Sequence, residues 1–190
     1  DASDDMLAQA RAFTGAPDLF FRWRMGEPPP PELEARGPFD AIVCMGNAWP
    51  QILGDSEVVA TQRTWRSMLA PSGAVLMGLK ALAVRREKGD PYMPLLKRSY
   101  RGAPLFFVRF VDFDVPEDED CPDLCEFHKV IAGEEGLLHH RRGLSRVWDA
   151  PGLEECFRCA GFPDVRVSGS LADPDAPAET EDVFLHARGP

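Results

Sequence analysis

Met45-Gly46-Asn47-Ala48 is the segment whose residue types best suit ligand chemistry. It follows an apolar run, Phe39 to Met45, that reads as a strand buried on both faces. In open α/β sheets, ligands bind beyond the carboxyl ends of the strands. Gly46 lets backbone approach a ligand closely, and Asn47 offers both a donor and an acceptor. The same pair also suits a plain turn. His128, His139 and His140 lie on alternating segments, where an imidazole is either a general base near neutral pH or a surface residue. Cys121-x3-Cys125-x2-His128 and Cys156-x2-Cys159 carry the thiolate and imidazole groups that zinc takes. The first spacing is irregular, and Cys156 shares an apolar helix face with Leu153, Phe157 and Ala160, so core packing is the expectation and no metal is assigned. The run Glu117 to Asp120 reads as a solvated loop. Arg85, Arg86, Lys88, Lys97, Arg98 and Arg101 either steer an anionic substrate or form a solvated face.

The elements that position these groups follow from spacing. Ser3 or Asp1 caps a helix over residues 1–13, with Asp4 and Asp5 in its first turn and Gly15 and Pro17 at its end. Leu19 to Trp23 reads as a short strand. Thr61 to Leu69 reads as a helix that Ala70-Pro-Ser-Gly73 stops, and Ala74 to Leu79 as a second buried strand. Strand, helix, strand in this order predicts parallel pairing. Leu105–Val115, Glu126–Ala132 and Leu138–Trp148 alternate, with Gly133-Glu-Glu-Gly136 joining the last two as a hairpin. Residues 95–148 are thus an antiparallel insertion. A helix over Pro151–Ala160 and strands over Val165–Ser168 and Asp182–Ala187 complete the chain. The expected fold is α/β and Rossmann-like: a mostly parallel sheet with an antiparallel strand insertion before the last helix, in one domain over residues 1–190.

Bulk properties exclude some functions. A net charge of −10 disfavours nucleic acid and anionic membrane surfaces, both of which reward Lys and Arg. No apolar run has the length of a membrane span, and none reads as a signal peptide. Five cysteines, an odd count, suit reduced thiols in a cytoplasm better than a disulfide framework. The expected partner is a small molecule, with a homo-oligomer left open. Because the first residue is Asp1 rather than Met, processing or further upstream residues are expected.

Four segments resemble one family in order and spacing. Asp1-Ala-Ser-Asp-Asp-Met-Leu resembles the end of the second strand and the following helix of class I S-adenosylmethionine-dependent methyltransferases. Phe39-Asp-Ala-Ile-Val-Cys-Met-Gly-Asn resembles their fourth strand and its cofactor-side turn. Met68-Leu-Ala-Pro-Ser-Gly-Ala-Val-Leu-Met is similar to their fifth-strand entry, and Ala160-Gly-Phe-Pro-Asp-Val to their turn into the sixth strand. Within the family, glycine N-methyltransferase and its bacterial small-molecule relatives look most similar.

The resemblance implies S-adenosyl-L-methionine as cofactor, held by Asp1, Ala2, Met6, Arg22, Trp23, Met45, Gly46 and Asn47. A carboxylate at Asp1 would accept both ribose hydroxyl protons. Met6 would lie against the adenine, Trp23 would stack on it, and Arg22 would read its edge. Lys80, past the fifth strand, takes the place of a substrate-orienting residue, with His128 and His140 on a roof over the substrate formed by residues 95–148. Ala81 and Leu82 follow Lys80 where the glycine enzyme has polar or aromatic groups, which argues against glycine as substrate. The family's first strand and Gly-rich loop are expected upstream of Asp1, in a unit of about 30 residues. The expected function is methyl transfer to a small molecule, at nitrogen. Two alternatives stand beside it: a non-catalytic binding module of the same fold, and a nicotinamide-dependent oxidoreductase.

Overall fold

The first helix shows how closely local chemistry sets the boundaries. In a computed structural model, which describes residues 1–116, 121, 123–179 and 181–189, helix α1 runs Asp4–Thr14. The Ser3 hydroxyl accepts from the Met6 backbone N–H at 3.3 Å. Gly15, at φ +66°, takes the left-handed turn that ends the helix and donates to Arg11 O. The acidic run Glu117–Asp120 lies outside the described residues.

Leu19 to Trp23 is not a strand. Pro17–Leu19 forms a 3-10 turn, and residues 20–24 are extended without a ladder. The cause is the lack of a partner strand alongside. Trp23 N–H donates to Asp1 O at 3.0 Å, and the Asp1 amino group donates to Phe21 O at 3.2 Å, so one residue supplies both bonds. After a short helix, α2 (Pro31–Glu34), the main sheet begins with β1 (Phe39–Cys44). Helix α3 (Asp55–Met68) then crosses to β2 (Leu69–Lys80), which pairs with β1 in parallel.

Two expectations about these strands need correction. Ala70-Pro-Ser-Gly73 does not precede β2. It bulges within a strand that starts at Leu69, and the pairing shifts register there. Gly73 is needed because a Cβ at that position would sit 2.8 Å from Phe39 O. Nor is β1 buried on both faces. It is the edge of its sheet, and Val43 is 64% exposed.

The main sheet has the order β1-β2-β8-β7, completed by β7 (Asp164–Ser168) and β8 (Asp182–Arg188). β8 is antiparallel to both β2 and β7. Three strands therefore run one way and the fourth is reversed between them. Only the β1–β2 pair is hydrogen-bonded in parallel, so the sheet is less parallel than expected. The reversal follows from a return between β7 and β8 in which the described residues form no helix to carry the chain across.

Between β2 and the last helix, α5 (Ala150–Cys159), lie helix α4 (Ala83–Lys88) and a second sheet. This sheet is antiparallel throughout, in the order β3 (Leu96–Tyr100), β4 (Ala103–Asp112), β5 (Leu124–Gly133) and β6 (Gly136–Arg146). Side chains on a strand alternate between faces. One face of the second sheet presents Arg109, Val111, Cys125 and Phe127; the other presents Phe110, Glu126, His128 and Arg142.

Two cores hold the sheets in place. Trp49, Trp65, Trp148, Phe157 and Phe162 pack α3 and α5 against the main sheet, with ring centroids between 5.2 and 6.4 Å apart. Leu82, Ala83 and Met93 meet Val111, Cys125 and Val147, which docks the first face of the second sheet on the rest of the molecule. Among the described residues, no helix is long and apolar enough to cross a membrane.

Candidate functional site

The carboxyl end of β1 is shaped by two consecutive left-handed residues. Gly46 has φ +74° and Asn47 φ +68°. Asparagine tolerates this conformation better than most side chains. Asn47 also earns its position chemically, since its Oδ1 accepts from the Lys80 backbone N–H at 2.8 Å and so ties the end of β1 to the end of β2. Just before the turn, Cys44 is buried, and burial pushes its thiol up to about 11. Met45 leans across β2: a Cβ at Gly78 would meet its Cε at 2.7 Å and its Sδ at 3.0 Å.

This turn forms a wall of two cavities. On one side, Asp1, Ala2, Trp23, Met25, Ala48 and Ile52 line a space of about 460 Å³. Arg24, Gln51 and Glu57 complete its lining, and the Asp1 carboxylate accepts from Ser3 N–H at 2.8 Å. The Trp23 indole is fixed there by donating from Nε1 to Glu27 O at 2.9 Å. On the other side, Met45, Gly46, Asn47 and Lys80 line a space of about 360 Å³ roofed by Arg109 and Phe127 of the second sheet. The Lys80 ammonium lies 2.7 Å from the Asp182 carboxylate and 4.0 Å from Glu181.

The expected cofactor residues therefore divide among three places. Asp1, Ala2 and Trp23 share the first cavity, while Met45, Gly46 and Asn47 line the second. Met6 is exposed and lines a third space beside α1, together with Asp1 and Trp23. Arg22 lines none of these three spaces; it lies on the surface, 3.5 Å from the Asp4 carboxylate. His128 and His140 come together, ring nitrogens 3.0 Å apart, with Phe110 stacked on His128 at 4.4 Å. They sit on the face of the second sheet opposite Arg109 and Phe127. His139 lies on the other face from His140, as strand alternation requires.

The cysteine groups do not assemble as ligands. Cys125 and His128 fall on opposite faces of β5. Cys121 and Cys125 instead donate from Sγ to Leu53 O and Ser145 O. Burial raises the Cys125 thiol to about 12. Among the described residues, no group of three His, Cys, Asp or Glu side chains is placed to hold a metal.

Arg109, Met25 and Ile52 were not anticipated as site residues. Arg109 had a usable signal: it is a lone cation within Leu105-Phe-Phe-Val-Arg-Phe-Val111. A charge in such a run needs a reason to be there. Met25 and Ile52 carry no such mark, because apolar cavity walls and core look alike in sequence.

Neither a family model nor a curated protein matches the sequence. Solved structures do match its fold. A S-adenosylmethionine-dependent methyltransferase from Clostridium acetobutylicum superposes with a TM-score of 0.70 at 12% identity, over 100% of this chain and 73% of that one. CalS10, an amino pentose methyltransferase from Micromonospora echinaspora solved with S-adenosylmethionine bound, gives 0.63 at 15% identity, over 99% and 72%. The sugar N-methyltransferase KedS8 from Streptoalloteichus sp. gives 0.61 at 15% identity, over 100% and 70%. With two sheets, a reversed strand in the first and an antiparallel second sheet following it, this chain shares the fold of S-adenosylmethionine-dependent methyltransferases.

Proposed function

We propose that this chain transfers a methyl group from S-adenosyl-L-methionine to a nitrogen of a small molecule. The observation that carries the reading is the turn at residues 46–48, which walls two adjacent cavities. One is lined by Trp23, Met25 and Ile52 together with the Asp1 carboxylate, which suits a nucleoside; the other is roofed by the second sheet and suits an acceptor. Methyl transfer needs the donor and acceptor in line and shielded from water. When bound, S-adenosylmethionine supplies an electrophilic methyl group on a sulfonium. Asp1 would hold the ribose hydroxyls, and Trp23 and Ile52 would sandwich the base. Gly46 would let the main chain approach the sulfonium. Residues of the second sheet would close the acceptor cavity as a lid.

Nitrogen as the methylated atom draws support from KedS8, an N-methyltransferase of the same fold. The likeness of Asp1–Met6 and Gly46-Asn47 to glycine N-methyltransferase points the same way. The exposed edge of β1 adds a further element to the proposal: it would pair with the strand whose Gly-rich loop holds the methionine part of the cofactor.

Calorimetric titration with S-adenosylhomocysteine tests the reading. Saturable one-to-one binding is expected, and Asp1→Asn should weaken it about tenfold by removing charge-assisted hydrogen bonds. NAD should give no saturable heat. A folded sample that takes up no S-adenosylhomocysteine even with that strand supplied overturns the proposal.

A further inference from the structure

The acceptor cavity holds two cations and one carboxylate: Lys80, Arg109 and Asp182. Their situations differ. Lys80 is compensated, with Asp182 at 2.7 Å and Glu181 at 4.0 Å. Arg109 is not. Its Nε is buried without a hydrogen-bond partner, and no ion pair among the described residues includes it. Arg66 and Arg85 also have a buried, unpartnered Nε, but each donates from another guanidinium nitrogen, to Ala160 O and to Asp90 and Glu181 respectively. Of the three, Arg109 is the one whose guanidinium has no hydrogen bond or ion pair among the described residues.

Leaving the Arg109 Nε–H out of water without a partner costs free energy in the empty protein. That cost is removed when an anion enters. A guanidinium also presents two parallel N–H groups that match two oxygens of a carboxylate or phosphate. In a chain of net charge −10, a guanidinium in a cavity whose other cation is already paired is a selective feature, because the surrounding field repels anions that the cavity does not hold.

We infer that Arg109 binds an anionic oxygen group, a carboxylate or phosphate, on the methyl acceptor, and so sets the substrate class. The inference rests on the acceptor cavity of the proposed reaction, and the neutral part of the acceptor would lie against Phe127 and Met93. The positional logic is simple. Arg109 is on the roof and the Gly46-Asn47 turn is on the floor, so anchoring the anion at the roof directs the other end of the acceptor toward the turn.

Binding of matched aromatic probes tests this without turnover. Benzoate and phenyl phosphate carry the anion, and benzamide is the neutral analogue. For the unaltered protein, calorimetry should show at least one anion binding about tenfold more tightly than benzamide, as a single charge-assisted contact supports. In R109Q the preference should fall below about threefold, and R109K should restore part of it. K80Q should keep most of it, because Lys80 is already paired. Benzoate and phenyl phosphate compared with each other identify which anion is preferred. Equal binding of all three probes, a preference that survives R109Q, or one that K80Q abolishes instead, each overturns the inference. Titration with S-adenosylhomocysteine on the same samples separates the two ideas: an intact anion preference without cofactor binding, even with the Gly-rich-loop strand supplied, removes methyl transfer and leaves Arg109 as an anion site.

Discussion

At the scale of residues, Asn47 does two jobs that substitutions can separate. Its backbone is left-handed and its side chain accepts from Lys80 N–H. Asn47→Gly keeps the backbone and loses the bond, so it should cost about 1 kcal/mol. Asn47→Ala loses the bond and also strains the backbone, so it should cost about 2 to 3 kcal/mol. Urea denaturation of both variants checks the order; a smaller loss for alanine than for glycine removes the backbone part of this account. Two thiols give the protein an alkaline limit. An unfolded cysteine ionises near 9.0, whereas Cys44 and Cys125 in the fold hold their protons to about 11 and about 12 because burial disfavours the thiolate. The unfolded chain thus releases protons that the folded chain keeps. This contribution to stability is complete below pH 9 and is lost as pH rises through 11 to 12. Alanine at both positions should flatten the fall of stability between pH 9 and 11 in thermal melts, even though it lowers the plateau. Arg109 shows what sequence reading can miss at this scale. Its isolation in an apolar strand was visible, but which face of β4 it occupied, and that it forms no ion pair among the described residues, required the folded structure.

At the scale of elements, local signals served best where the element needed no distant partner. The caps of α1 were legible because Ser3 and Gly15 act within their own turns. Helix α5 follows the same rule. Asp149 accepts from Gly152 N–H at 2.7 Å, and Asp149→Ala should cost about 1 kcal/mol, measurable as a lowered melting temperature with unchanged cavity chemistry. The hairpin at Gly133–Gly136 was likewise local. Elements defined by a neighbour were misread. Leu19–Trp23 has the composition of a strand but joins no ladder, its backbone bonding to Asp1 and to the Arg11 side chain instead, and Phe39–Met45 has the composition of a central strand but lies at an edge. β3 was missed for the opposite reason: Lys97, Arg98 and Ser99 are exposed and carry no apolar alternation, and the strand exists because β4 pairs with it. The candidate site divided in the same way. Asp1, Ala2 and Trp23 converge, but Met6 is exposed and lines a separate space that shares only Asp1 and Trp23 with theirs, and Arg22 lies on the surface.

At the scale of the whole molecule, the two sheets differ in how far apart along the chain their pairs lie. The second sheet is a meander of neighbours: Tyr100 pairs with Ala103 and Gly133 with Gly136. The main sheet closes only when β8 enters between β2 and β7, bringing Lys80 to Asp182 and Ala74 to Arg188. That difference sets a timetable. Hairpins close in microseconds, whereas pairing across some hundred residues must first overcome the entropy of a long loop. Topologies dominated by such pairs fold over milliseconds to seconds. Pulsed hydrogen exchange during refolding should therefore protect the amides of β5 and β6 before those of β2 and β8; simultaneous protection would contradict this. The acceptor cavity takes its floor from one sheet and its roof from the other, so a nascent or refolding chain would own the roof, Arg109 included, well before it owned a pocket.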